Sequence, residues 1–148
     1  MKKNITIKIA VIISRFNDDV TDKLKTGALE RLAELGLSQE QLTVFDVPGA
    51  VEIPLIAKQC AKQKKYDAII CLGAVIRGET THYDYVCEQV SQGCQQVMMQ
   101  YDIPVIFGVL TTENTEQALD RVGGAHGHKG ADAADAALEM IELMQQFN

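Results

Sequence analysis

Apolar runs rich in β-branched residues alternate along this chain with stretches in which apolar side chains recur every three or four positions. The first run, Ile5 to Ile13, is dense in Ile and Val and predicts a strand. Asn17, Asp18 and Asp19 then offer helix caps, and Val20, Leu24, Ala28, Leu32 and Leu35 form a helical stripe closed by Gly36. A short strand is predicted over Leu42 to Val47, a turn at Pro48-Gly49, and a helix from Glu52 to Lys64 with Ile56, Cys60 and Ala61 inward. Ala68 to Ile76 reads as a third, buried strand and Tyr83 to Gln100 as the third helix. Pro104 to Leu110 reads as the fourth strand and Thr115 to Val122 as a short helix. A glycine-rich loop, Gly123 to Gly130, leads into a last helix from about Ala131 to Gln146, with Ala133, Ala137, Met140, Ile141 and Met144 on its apolar side.

Strands alternating with helices predict βαβ units and a parallel sheet. The fold class is therefore α/β: a flavodoxin-like three-layer αβα sandwich with a four-stranded parallel sheet, and one domain over residues 1–148. Composition narrows the function. A net charge of −6 argues against a nucleic-acid binder, which usually carries a basic stripe. Lys62, Lys64 and Lys65 form a basic cluster at a helix end, where they complement the helix dipole. No apolar run reaches the ~18 residues that a membrane span needs, and the start Met1-Lys2-Lys3 followed by Ile and Thr reads as a strand rather than a signal peptide. The four cysteines, Cys60, Cys71, Cys87 and Cys94, form no CxxC pair and read as buried reduced thiols of a cytoplasmic protein. His82, His126 and His128 do not stand at metal-ligand spacing with them, so no metal site is expected.

Ligands of such sheets bind outside the carboxyl ends of the strands. The four ends here carry Ser14-Arg15-Phe16-Asn17, Pro48-Gly49-Ala50-Val51-Glu52, Ile76 to His82, and Phe107 to Thr112. Each carries glycine, aromatic or polar groups that packing does not require. In the third, a strand runs through a glycine turn and two threonines into a helix, so free N–H groups and the helix dipole can hold an anion. His82 beside that place can move protons near neutral pH. Phe16 follows a core strand and is either a cap on the sheet or a stacking surface for a planar ring. Glu52 opens a helix and either complements its dipole or binds hydroxyls. Arg121 ends the short helix beside the glycine loop and Lys129 lies within it; both are candidate anion ligands. No GxGxxG follows the first strand and no GxxxxGK[ST] occurs, so a dinucleotide or NTP site lacks its glycine loop.

Taken together, these segments resemble the lumazine synthase family. The resemblance is carried by Ser14-Arg15-Phe16-Asn17, Val47-Pro48-Gly49-Ala50-Val51-Glu52-Ile53-Pro54, Gly73 to Tyr83, Phe107 to Glu113, and Lys129-Gly130-Ala131, in order and at matching spacing. It implies condensation of 5-amino-6-(D-ribitylamino)uracil with 3,4-dihydroxy-2-butanone 4-phosphate to 6,7-dimethyl-8-ribityllumazine, phosphate and water, the transferase step before riboflavin itself. By this resemblance Phe16 stacks on the pyrimidine and Ala50, Val51 and Glu52 line the ribityl chain. Backbone groups of Ala74, Val75 and Ile76 read the uracil edge. Glu79 and Thr80 bind phosphate with Arg121, and His82 is the catalytic proton carrier. Phe107 comes from a neighbouring subunit, and Lys129 lies near pyrimidine or phosphate. Val51 stands where the family often has an aromatic residue. Glu79 sets a carboxylate beside the phosphate, so its side chain is expected to turn away and contribute only backbone. No cofactor is needed.

The resemblance further implies a homo-oligomer, at least a pentamer. With no insertion between Arg121 and Lys129, a sixty-subunit icosahedral shell is favoured, with riboflavin synthase as a partner it can enclose. The N-terminal segment is expected to join a neighbour's sheet. No nucleic acid or membrane partner is expected. Three other readings share the scaffold: a riboflavin synthase of the archaeal type, a flavin- or lumazine-binding module without turnover, and a structural shell protein. Thr80, His82 and Arg121 favour the synthase.

Overall fold

The computed structural model of the chain describes residues 6–147. Four strands, β1 (Ile9–Ser14), β2 (Leu42–Val47), β3 (Ala68–Ile76) and β4 (Val105–Thr112), form one sheet in the order β2-β1-β3-β4, with every pair parallel. The central strands explain the unbroken apolar runs. Every residue of β1 is buried, as is β3 from Ala68 to Val75, because helices cover both faces. β2, at one edge, shows a mixed pattern with Val44 exposed.

Helix α1 (Asp18–Glu34) and helix α5 (Lys129–Met144) pack one face of the sheet through Leu24, Leu32, Ala137 and Ile141, onto Ile9, Val11 and Ile70. Helices α2 (Ile53–Lys62) and α3 (His82–Tyr101) pack the other through Ile53, Ala57 and Val90, onto Ala10, Ile12 and Cys71. The result is the expected three-layer sandwich. Its α1 stripe is fully buried at Val20, Leu24, Ala28 and Leu32, and the helix ends through Gly36 at φ 99°.

Several boundaries differ from the sequence expectation, each for a local reason. Thr6 to Lys8 lie outside β1, which begins at Ile9, and the expected start at Ile5 lies outside the described residues. A 3₁₀ turn over Ala50–Glu52 precedes α2, so the helix proper starts at Ile53 with Pro54 in its first turn, where a missing N–H costs nothing. β4 runs on to Thr112, which the pairing of Ile76 with Thr112 holds in the sheet. The glycine-rich loop is not irregular. Helix α4 (Thr115–Leu119) stops early, and β5 (Val122–Gly124) pairs antiparallel with β6 (Gly127–His128), using positive φ at Gly123 and Gly127. α5 then begins at Lys129 rather than Ala131, because His128 Nδ1 accepts from the Gly130 and Ala131 N–H groups at 3.1 and 3.3 Å and caps it. α1 and α5 approach closely here: a side chain on Gly27 would run into the His128 ring, and one on Gly130 into the Leu24 carbonyl.

Candidate active site

With the order β2-β1-β3-β4, chain direction across the sheet switches between β1 and β3, and the crevice at their carboxyl ends is the expected place for a ligand. A cavity of about 400 Å³ lies there. Phe16 and Asn17 line it from the end of β1, Gly49, Ala50 and Val51 from the end of β2, and Ala74, Val75 and Ile76 from β3. Gly78, Thr80, His82, Tyr83 and Val86 close it from the turn and first turns of α3. The volume falls within the range of small-molecule sites.

The backbone that carries these groups is tied to the sheet. Arg15 N–H donates to the Val47 carbonyl at 2.9 Å and Phe16 N–H to the Pro48 carbonyl at 3.1 Å, which extends the β1–β2 ladder past its last strand residue. Phe16 is 70% exposed, so it does not cap the core. An aromatic ring left in water at the mouth of a cavity is free to stack on a planar ligand. Asn17 sits at φ 67° and ψ 51°, the left-handed region that Asn tolerates best among residues with a side chain. That turn sends its Nδ2 to donate to the Ala74 carbonyl at 2.9 Å, two residues beyond Leu72, the last β3 residue paired with β1. The bond holds that conformation at the cavity wall.

His82 is the first residue of α3, and its N–H donates to Thr80 Oγ1 at 3.3 Å. The turn over Gly78 to Thr81 therefore leads into a helix N-terminus beside the cavity, as an anion site requires. Val51 is 37% exposed at the cavity wall. Glu52 does not line the cavity, but a Cβ on Gly49 would stand 3.1 Å from its Oε1, so the carboxylate lies against the lining turn. Glu79 is exposed and outside the lining.

Three of the sequence candidates lie elsewhere in the chain. Phe107, in the middle of edge strand β4, is half-buried against the α2/α3 layer. Arg121 and Lys129 line a second cavity of about 290 Å³ along β4, with Val109 to Thr112, His126 and Asp132. The β5–β6 hairpin brings the two cations together, since Lys129 N–H donates to the Arg121 carbonyl at 2.7 Å. Arg121 NH1 donates to the Gln117 carbonyl at 2.7 Å, which fixes the guanidinium at the end of α4. By contrast, no Lys or Arg among the described residues lines the first cavity. A single chain thus holds its stacking ring and histidine in one cavity and its cations in another.

Asn17, Tyr83 and Val86 are lining residues that the sequence expectation left out. Asn17 was read as a helix cap and as part of the Ser14–Asn17 strand end, but was given no role toward a ligand. Val86 follows from placing His82 on a helix, since the residue four positions on shares its face, whereas Tyr83, one position on, does not follow from that spacing.

The sequence profile of the 6,7-dimethyl-8-ribityllumazine synthases matches residues 6–145. Among curated proteins, the chain is similar to the 6,7-dimethyl-8-ribityllumazine synthases of Coxiella burnetii strains CbuG_Q212 and RSA 493 / Nine Mile phase I. Each is 60% identical over 142 residues, covering 96% of this chain and 94% of the relative.

Proposed function

Because the chain belongs to the 6,7-dimethyl-8-ribityllumazine synthase family, we propose that the Phe16–His82 cavity and the Arg121–Lys129 cavity are two halves of one active site, brought together by neighbouring copies. The chain is a transferase of riboflavin biosynthesis, and its reaction condenses 5-amino-6-(D-ribitylamino)uracil with 3,4-dihydroxy-2-butanone 4-phosphate. The observation that carries the composite site is the separation itself. One substrate is a planar pyrimidine and the other a phosphate, and the chain keeps the exposed ring of Phe16 apart from its clustered cations.

In this reading Phe16 stacks on the pyrimidine, Ala50 and Val51 flank the ribityl chain, and Glu52 accepts from its hydroxyls. Backbone groups of Ala74, Val75 and Ile76 bond the uracil edge. The neighbour contributes its Phe107 to the ring and its Arg121 to the phosphate, opposite the N–H groups of the Glu79–Thr80 turn. Lys129 adds a second positive charge. The pyrimidine amine attacks the ketone, water leaves and an imine forms; phosphate departs by elimination; the ribityl-substituted nitrogen then closes the ring with loss of a second water. Both substrates are reactive, so orientation supplies most of the acceleration. His82, acting as general acid and base, adds about 10²–10⁴-fold. A head-to-tail contact of this kind closes into a ring, in this reading a pentamer and in the larger form a shell of twelve pentamers.

The test follows lumazine absorbance and free phosphate together from the two substrates. Equal appearance of both above background supports the reading, and tight lumazine or riboflavin binding without turnover overturns it. Light scattering addresses assembly separately: a particle near the chain mass of 16.3 kDa would refute the composite site.

A further inference from the structure

Arg77 stands between Ile76 and Gly78, both in the cavity lining, yet its own side chain does not line the cavity. Its guanidinium lies over the ring of Tyr83, 4.3 Å from the centroid. Nε donates to Glu113 Oε2 at 2.6 Å and NH2 to Asp84 Oδ1 at 3.2 Å. Its backbone N–H is fixed too, donating to the Thr112 carbonyl at 2.9 Å. The phenol of Tyr83 lies beside the Cys87 thiol and the Thr111 hydroxyl. Tyr83 lines the cavity next to His82, so one face of its ring is covered from outside the cavity by the guanidinium.

Stability does not account for this arrangement. The Arg77 side chain is 39% exposed and its two carboxylate partners 58% each, and ion pairs so placed contribute little. What a planar guanidinium adds is geometry: it stacks on a ring while its edge binds two carboxylates, which an ammonium cannot do.

We propose that Arg77 is a positioning residue for the condensation: it clamps Tyr83 and the first turn of α3, and so sets the cavity wall that holds the reacting centre against His82. This rests on the Phe16–His82 cavity being the active site.

The experiment measures kcat and KM for both substrates in Arg77→Gln, Arg77→Lys, Tyr83→Leu and the double variant Arg77→Gln/Tyr83→Leu. Misplacement of the reacting groups lowers kcat, so both Arg77 variants are expected to lose about tenfold in kcat with KM values within about twofold. Because Arg77 acts through Tyr83, adding Arg77→Gln to Tyr83→Leu is expected to change kcat by less than about twofold. Additive losses, full activity in Arg77→Lys, or losses that track melting temperature would each overturn the proposal. Phe16→Ala and His82→Ala measured alongside keep the two readings apart. If these lose activity while the Arg77 variants keep it, only the role of Arg77 falls; if these too are unchanged, the cavity is not the active site.

Discussion

Asn17 joins fold and site, and replacing it should separate its two contributions. In Asn17→Ala, the bond to the Ala74 carbonyl is lost, and Ala74 is only 3% exposed. A buried acceptor left without its donor costs about 1–3 kcal/mol. Alanine must also hold φ 67°, a conformation Asn adopts far more readily, at a further cost of about 1 kcal/mol. The expected loss is therefore about 2–4 kcal/mol, which for a chain of this size lowers the melting temperature by roughly 2–4 °C per kcal/mol. Asn17→Gly loses the same bond but not the backbone preference, so it should be about 1 kcal/mol more stable than Asn17→Ala. The assay is thermal and urea unfolding at one fixed protomer concentration, since subunit association adds to apparent stability. Equal stability of the glycine and alanine variants would refute the backbone part. Wild-type stability in both would refute the bond.

Three other outcomes follow from the structure. Phe16→Ala should leave the melting temperature within about a degree, because the ring is 70% exposed, and should raise KM for the pyrimidine substrate several-fold, as loss of a stacking contact of about 0.5–1.5 kcal/mol requires. Gly130→Ala should unfold the protein more than Gly27→Ala does, because the new methyl meets the Leu24 backbone in one case and the movable His128 ring in the other; urea midpoints decide it. Burial pushes the Cys60 thiol up, and the Cys71 thiol, which donates to Cys94 and is itself buried, well up. A thiol raised in the folded state contributes stability that is fully present below the unfolded thiol range, near pH 8.5, and is lost as pH rises through the higher folded value. Stability should thus fall above about pH 8.5, less steeply in Cys60→Ala, whose thiol is raised by burial, by urea unfolding across pH.

Periodicity made most of the fold legible. The β3 run from Ala68 to Val75 is apolar without alternation because both faces are covered, and that pattern alone places it centrally. The α1 stripe and its glycine stop were equally direct. The β5–β6 hairpin was not, because its strands are three and two residues long and too short to show a period. His128 appeared as a loop histidine because its capping role depends on where α5 begins. In the site, the strand-end rule gathered Phe16, Ala50, Val51 and the Ile76–His82 segment, and the family resemblance added Ala74 and Val75. Thr112 at the end of β4 turned out to be a buried strand residue. The separation of Arg121 and Lys129 from His82 lies beyond any pattern along one chain, since it depends on which side of the β4 edge each group reaches.

The composite site is tested most directly by mixing defective halves. Phe16→Ala/His82→Ala removes the stacking ring and proton carrier; Arg121→Ala/Lys129→Ala removes the cations. If each site takes one half from each of two adjacent copies, coassembly of equal amounts should leave about a quarter of the sites intact, with turnover restored to about that share of the wild type. Turnover in coassembled particles no greater than that of the two variants assayed apart would contradict the account.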